Sequence, residues 1–163
     1  MWLMWWTLAR PAETTEAEWI EFDLDNALWT IPAARMKARR EHVIPLPSQA
    51  VKTLRTLQGL TGHRQHLFPG RDNPKGPMTS HSLRQLLKSF GWSGIYSPHA
   101  TRTTGSTRLN EMGYRPDAIE AQLAHADTNN VRRTYNHATY LDERKVMMQE
   151  WSDMLDKWVA GSE

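Results

Sequence analysis

The spacing of apolar residues changes once along this chain, and that change limits what it can fold into. Apolar side chains fall at alternate positions at Ile20, Phe22 and Leu24, then again at Trp29 and Ile31 after the polar pair Asp25-Asn26. A period of two sends successive side chains to opposite faces of a strand, and Asp-Asn between two such runs is turn chemistry, so the segment predicts a β-hairpin. A third strand is expected over residues 43–46. Beyond it the period becomes helical, with segments near 48–60, 80–90, 97–112, 116–124 and 141–159. Ser97 followed by Pro98 marks a helix start, because serine caps free N–H groups and proline is tolerated at the first helical position; His99 therefore opens that helix. The expected fold is α+β and mainly α, a helical bundle with a small three-stranded antiparallel sheet.

With 163 residues, 39% of them hydrophobic and 23% charged, the chain suits one folded domain. It has no cysteine, which excludes disulfides, thiolate metal sites and cysteine nucleophiles and permits a reducing compartment. The formal charge of +2 is too small to argue for nucleic acid by itself, so the distribution of charge has to carry that argument. The densest basic stretch, with Arg35, Lys37, Arg39 and Arg40, lies between the second and third strands and belongs to an exposed turn. The apolar opening, residues 1–8, is far shorter than the roughly 20 residues a membrane span needs and reads as a buried helix. In the last helix Met147, Trp151, Met154, Leu155 and Trp158 share one face, which needs a partner surface on its own domain or on a neighbouring protomer. Residues 71–77 read as a surface loop. His63 and His66 supply only two converging metal ligands, so that segment too reads as a surface loop and no metal is assigned.

Arg10, Lys37, His99 with Arg102, His125 and Tyr135 follow one another along the chain as a set suited to a phosphodiester. A guanidinium donates paired N–H bonds to two phosphate oxygens and stays charged at any working pH. Two of them suit a pentacoordinate phosphorane, whose equatorial oxygens concentrate negative charge. No carboxylate cluster for magnesium is evident in the sequence. The nucleophile is then a hydroxyl, and a tyrosine of ordinary pKa about 10 needs neighbouring cations or a base, here the arginines or His99, to activate it. Lys37, in a strand-to-strand turn, is placed to swing toward a leaving 5′ oxygen and protonate it. Taken singly, each residue has a plainer reading: Arg10 a helix-end cation, Lys37 a solvated turn lysine, His125 a histidine at a helix C-terminus. Their order and spacing favour the joint reading. Tyr140 competes with Tyr135 as nucleophile, but its flanks read as the start of the final helix.

This ordering resembles the tyrosine recombinases, whose pattern is Arg, hairpin Lys, His-x-x-Arg, His or Trp, then Tyr. More narrowly, Arg10-Pro11-Ala12-Glu13, the run from Trp19 to Pro32, Arg35-Met36-Lys37, Leu123-Ala124-His125-Ala126 and Tyr135-Asn136 look like integrases of prophages and genomic islands that insert into tRNA genes. The resemblance implies the catalytic-core fold of DNA breaking-rejoining enzymes and DNA strand exchange through a 3′-phosphotyrosine, without a cofactor. By position it makes Arg10 and Arg102 the phosphate clamp, Lys37 the general acid, His99 the proton-handling partner, His125 a phosphate donor, Tyr135 the nucleophile and Glu13 a brace behind them. Arg35, Arg39 and Arg40 are expected to grip flanking phosphates.

The implied partners are double-stranded attachment-site DNA and further copies of the chain, gathered into a tetrameric synapse through the C-terminal helix, in the cytoplasm of a bacterial host and with no membrane. Residues 1–163 would be the C-terminal catalytic domain, cut short at its N-terminus, with the core-binding and arm-binding domains absent. Two departures stand out. Ala12 replaces the glycine usual in Arg-Pro-Gly-Glu, a change of about 1 kcal/mol if that position needs positive φ. Ala100-Thr101 replaces the usual Gly-hydrophobic pair inside His-x-x-Arg. The rivals to recombination are a non-catalytic DNA-binding remnant and type IB topoisomerase-like relaxation.

Overall fold

A computed structural model describes residues 1–125 and 140–161. Its sheet is a three-stranded antiparallel meander of β1 (Phe22–Asp23), β2 (Leu28–Ile31) and β3 (His42–Pro45) in the order β1-β2-β3. Trp29 pairs with Phe22 on one side and Ile44 on the other, and Ile31 pairs with His42. Trp29, Ile31 and Ile44 are fully buried, so the alternation expected in the second and third strands is the inner face of the sheet. The hairpin turn is held by Asp23, whose carboxylate accepts from the Asn26 backbone N–H at 2.9 Å and from Asn26 Nδ2 at 2.7 Å.

The first strand departs from its expected extent. Residues Trp19–Glu21 form a single 3-10 turn, with Ile20 90% exposed and Glu21 buried. Here the charge faces in and the aliphatic residue faces out, the reverse of what a period of two predicts. The cause is local: Trp19 is tied to the chain around residue 61 through Nε1 donating to the Thr61 carbonyl at 2.9 Å, while Glu21 accepts from the buried Trp29 Nε1, also at 2.9 Å.

Among the described residues seven α-helices complete the fold: α1 (Trp2–Thr7), α2 (Pro11–Thr15), α3 (Ser48–Thr61), α4 (Ser80–Ser89), α5 (Ala100–Glu111), α6 (Pro116–Gln122) and α7 (Leu141–Ala160). The opening helix α1 packs between α3, α5 and α7 and buries Leu3, Met4 and Trp6. It stops because Leu8 turns left-handed, at φ 54°. The apolar face of α7 finds its partner inside the domain: Met147, Met148, Trp151 and Leu155 are buried, and Trp151 Nε1 donates to the Trp5 carbonyl at 2.6 Å. Burying each such side chain contributes roughly 1.5–3 kcal/mol, well above the few tenths that separate ordinary helix propensities, so packing decides where α7 lies. At its far end Trp158, 40% exposed, packs edge-on against Trp151 with the Arg108 guanidinium over its ring.

The loop expected at residues 71–77 is largely exposed and closes where the Gly70 N–H donates to the Gly76 carbonyl at 2.9 Å. His66 departs from the surface-loop expectation. It is buried and pairs in a short bridge with Glu18, while His63 stays exposed and accepts from Arg64.

Candidate active site

The end of α1, the start of α2, the first turn of α5 and the end of α6 meet at one place. Arg10 precedes Pro11 and caps α2: its backbone N–H donates to Glu13 Oε2 at 2.7 Å, and its Nη1 donates to Glu13 Oε1 at 2.7 Å. Glu13, only 6% exposed, therefore both caps the start of the helix and orients the arginine. Arg10 Nη2 reaches on to the Ala124 carbonyl at 3.3 Å. Ala12 sits inside α2 and is absent from the positive-φ positions, so replacement of the family's usual glycine brings no left-handed strain here.

Arg102 enters from the opposite side. Its Nη1 donates to the Leu8 carbonyl and its Nη2 to the Leu123 carbonyl at 2.6 Å. Both acceptors lie at helix C-terminal ends, where carbonyls lack N–H partners and carry partial negative charge. Burial, then repulsion from the nearby Arg10, brings the Arg102 pKa down to about 10, against the opposing pull of Glu13 and Glu120. The guanidinium thus stays charged at neutral pH. A guanidinium has five N–H donors; each arginine uses its two terminal nitrogens here and keeps further N–H groups for a ligand.

The other expected site residues that the structure describes, Arg35 apart, are exposed. His99 is the N-cap of α5, one turn before Arg102, and its side chain faces solvent. His125 is exposed just beyond α6, with Nδ1 2.6 Å from Glu120 Oε2. A carboxylate only accepts, so Nδ1 carries a proton and Nε2 is the ring nitrogen left for another partner. Lys37, Arg39 and Arg40 are exposed on the connection from β2 to β3.

Arg35 does not join them. Its Nη1 is bound to both oxygens of Glu21 and its Nη2 donates to the Glu13 carbonyl at 2.7 Å. With both terminal nitrogens engaged inside the protein, Arg35 braces this segment from within. Together with the buried Met36 it fastens the Lys37 segment at its base, against the helix that carries Glu13.

Tyr135 lies outside the described residues. Its competitor Tyr140 caps α7 and is 9% exposed, with the Arg115 guanidinium 5.0 Å above its ring. Three residues important to this geometry carry no signal in a motif search: Glu21, Gln122 and Arg144. Arg144 does lie three and seven positions before Met147 and Trp151, on the buried stripe of α7, and a charge at that spacing is the clue that could have found it.

The chain belongs to the phage integrase family, whose model matches residues 1–141. It is 46% identical over 156 residues to the prophage integrase IntA of Escherichia coli (strain K12), covering 96% of this chain and 38% of that protein. Among solved structures, XerA recombinase superposes with a TM-score of 0.65 at 18% identity, covering 87% of this chain and 56% of that one. The Tn1549 transposon integrase in complex with circular intermediate DNA gives 0.55 at 20% identity, covering 88% and 54%. At these identities the structural matches speak for the fold. The chain spans about two fifths of the length of the curated relatives it matches.

Proposed function

We propose that this chain cuts and rejoins DNA at a specific site, inserting or excising mobile DNA through a 3′-phosphotyrosine formed by Tyr135. The observation that carries this reading is the convergence of Arg10 and Arg102, far apart in sequence, on the adjacent carbonyls of Leu123 and Ala124, with Glu13 behind. Glu13 engages Arg10 but bonds neither terminal nitrogen of Arg102, so two neighbouring guanidiniums with spare N–H groups favour a further anion, and a phosphodiester is that anion.

In the reaction the Tyr135 hydroxyl oxygen attacks phosphorus. The bond to the 5′ oxygen breaks, and Lys37 supplies the proton that oxygen needs. Arg10 and Arg102 hold the equatorial oxygens of the phosphorane, His125 in its doubly protonated form donates from Nε2, and His99 takes the proton from the tyrosine. One ester replaces another, so the bond energy is kept and a 5′ hydroxyl from a second strand reverses the step without a cofactor. Arg39 and Arg40 hold flanking phosphates of the duplex. The motifs shared with tRNA-gene integrases support a target of that class. Assembly of four copies on DNA would draw on the C-terminal end of α7, where Val159 is exposed, Met147, Met148, Trp151 and Leu155 being covered by their own domain.

The test is a nicked suicide duplex carrying the attachment core, scored for a covalent adduct on a denaturing gel. The adduct is expected with the unaltered chain and with Tyr140→Phe and should vanish with Tyr135→Phe. Salt-sensitive binding without any adduct would point to a DNA-binding remnant, and relaxation of supercoils without sequence preference to a topoisomerase-like activity.

A further inference from the structure

The last residues of α6 hold more than the two clamp arginines. The Gln122 carbonyl accepts from His42 Nε2 at 3.1 Å, next to the Leu123 carbonyl on Arg102 and the Ala124 carbonyl on Arg10. The Gln122 side chain, also buried, donates from Nε2 to the Thr7 carbonyl at 2.7 Å. Its Oε1 accepts from Arg144 Nε at 2.9 Å and Nη2 at 2.8 Å, and Arg144 Nη2 also reaches the Val43 carbonyl at 2.7 Å. Thr7 and Leu8 are neighbours, so the Gln122 amide spans the same two helix ends that Arg102 spans.

Arg144 is 1% exposed, and among the described residues no carboxylate pairs with it. An aliphatic residue would fill such a position with far less desolvation, as Met147 and Met148 do one turn on. What the guanidinium adds is direction. It can only donate, so it forces Gln122 Oε1 toward itself and the amide N–H toward Thr7. Burial pulls the Arg144 pKa down to about 10, which leaves it charged at neutral pH.

We propose that Gln122 and Arg144 are a positioning pair for strand cleavage, fixing the end of α6 against the end of α1 so that the Leu8, Leu123 and Ala124 carbonyls set the guanidiniums of Arg102 and Arg10. The inference rests on the recombinase reading above. It also places the first turn of α7, which follows the segment bearing Tyr135, in mechanical contact with the phosphate clamp.

The experiment compares the unaltered chain with Gln122→Glu, Gln122→Leu, Arg144→Met, Arg144→Lys and Arg102→Lys, and with Gln122→Leu combined with Arg102→Lys. Single-turnover adduct formation at saturating duplex should slow about 10- to 100-fold in Gln122→Leu and Arg144→Met, as displaced catalytic groups do. The duplex Kd, set by many exposed cations, should stay within about 2-fold. Arg144→Lys should recover part of the rate. Gln122→Leu should cost several-fold less once Arg102 is lysine, because much of its effect runs through that guanidinium, the remainder running through Arg10. Losses that multiply in full in the double variant, or rates that fall only with the folded fraction in thermal melts, would overturn the proposal.

Gln122→Glu, nearly the same in shape, keeps the acceptor for Arg144 and removes the donor to Thr7, so it serves if the leucine variant does not fold. A second readout needs no DNA: the guanidinium 15N resonances of Arg102 should shift in Gln122→Glu, and unmoved resonances would contradict the proposal. If the unaltered chain forms no adduct, the recombinase reading fails, and the Arg102 resonances still decide whether the pair sets that guanidinium.

Discussion

Gly105→Ala sets two effects of opposite sign against each other. Gly105 lies within α5, where alanine would gain about 1 kcal/mol in helix propensity. A Cβ built there, however, would stand 2.7 Å from Leu8 Cδ1, closer still to Cδ2, and 3.1 Å from Cγ. Rotating the methyl groups cannot clear all three, and Leu8 is fully buried, so it cannot swing out to solvent. Its backbone is already left-handed, so relief requires moving the turn between α1 and α2, and with it the carbonyl that holds Arg102. Overpacking of this kind costs typically 1–3 kcal/mol, and two contacts under 3.0 Å place this one in the upper part of that range, at about 2–3 kcal/mol, which outweighs the propensity gain for a net loss of about 1–2 kcal/mol. For a chain of this size that lowers Tm by roughly 2–8 °C. Circular dichroism melts measure the loss, and single-turnover cleavage should fall further than the melt alone explains. A Tm equal to or above that of the unaltered chain would refute the claim that α5 and the α1 turn are in tight contact at this point.

Ala124→Gly removes a non-glycine residue from φ 48° and should raise stability by roughly 0.5–1 kcal/mol, read as a higher urea midpoint with unchanged slope. Arg35→Leu strands the buried Glu21 carboxylate and should destabilise by about 3–5 kcal/mol without changing the salt dependence of duplex binding. Arg39→Ala, on an exposed side chain, should leave stability within about 0.5 kcal/mol and reduce the salt slope by about 1. The bonds from Asn26 hold the Asp23 carboxyl below its usual 3.8, so its contribution is complete above that value and disappears as the pH falls through the lowered one. The Tm gap between the unaltered chain and Asp23→Ala should therefore stay constant from about pH 7 to 5 and close on further acidification.

The elements that sequence periodicity made legible are those whose burial follows a single face. Trp29, Ile31 and Ile44 alternate and are buried, and α7 carries an unbroken apolar stripe, so both were readable. The first strand was not, because Glu21 is drawn inward by a pair of long-range bonds to Trp29 and Arg35 that no local pattern encodes. The same bonds explain why Arg35 looked like one more exposed cation in a basic run. Arg10, Glu13 and Arg102 were singled out as a set by their order, and the structure brings the three together. What order could not reveal is that the clamp is built on helix-end carbonyls, since backbone acceptors leave no mark in side-chain identity. Gln122 and Arg144 were missed for that reason, and His66 was read as exposed because its burial depends on a bridge to the distant Glu18.

The account turns on which oxygen joins DNA, and mass spectrometry of the trapped adduct reads that directly. Trypsin cutting after Arg133 and Arg144 leaves residues 134–144 as one peptide, which contains both Tyr135 and Tyr140. Fragmentation of that peptide, still carrying its nucleotide remnant, should place a 3′-phosphate ester on Tyr135. A remnant on Tyr140, or one joined through a 5′-phosphate, would contradict the account.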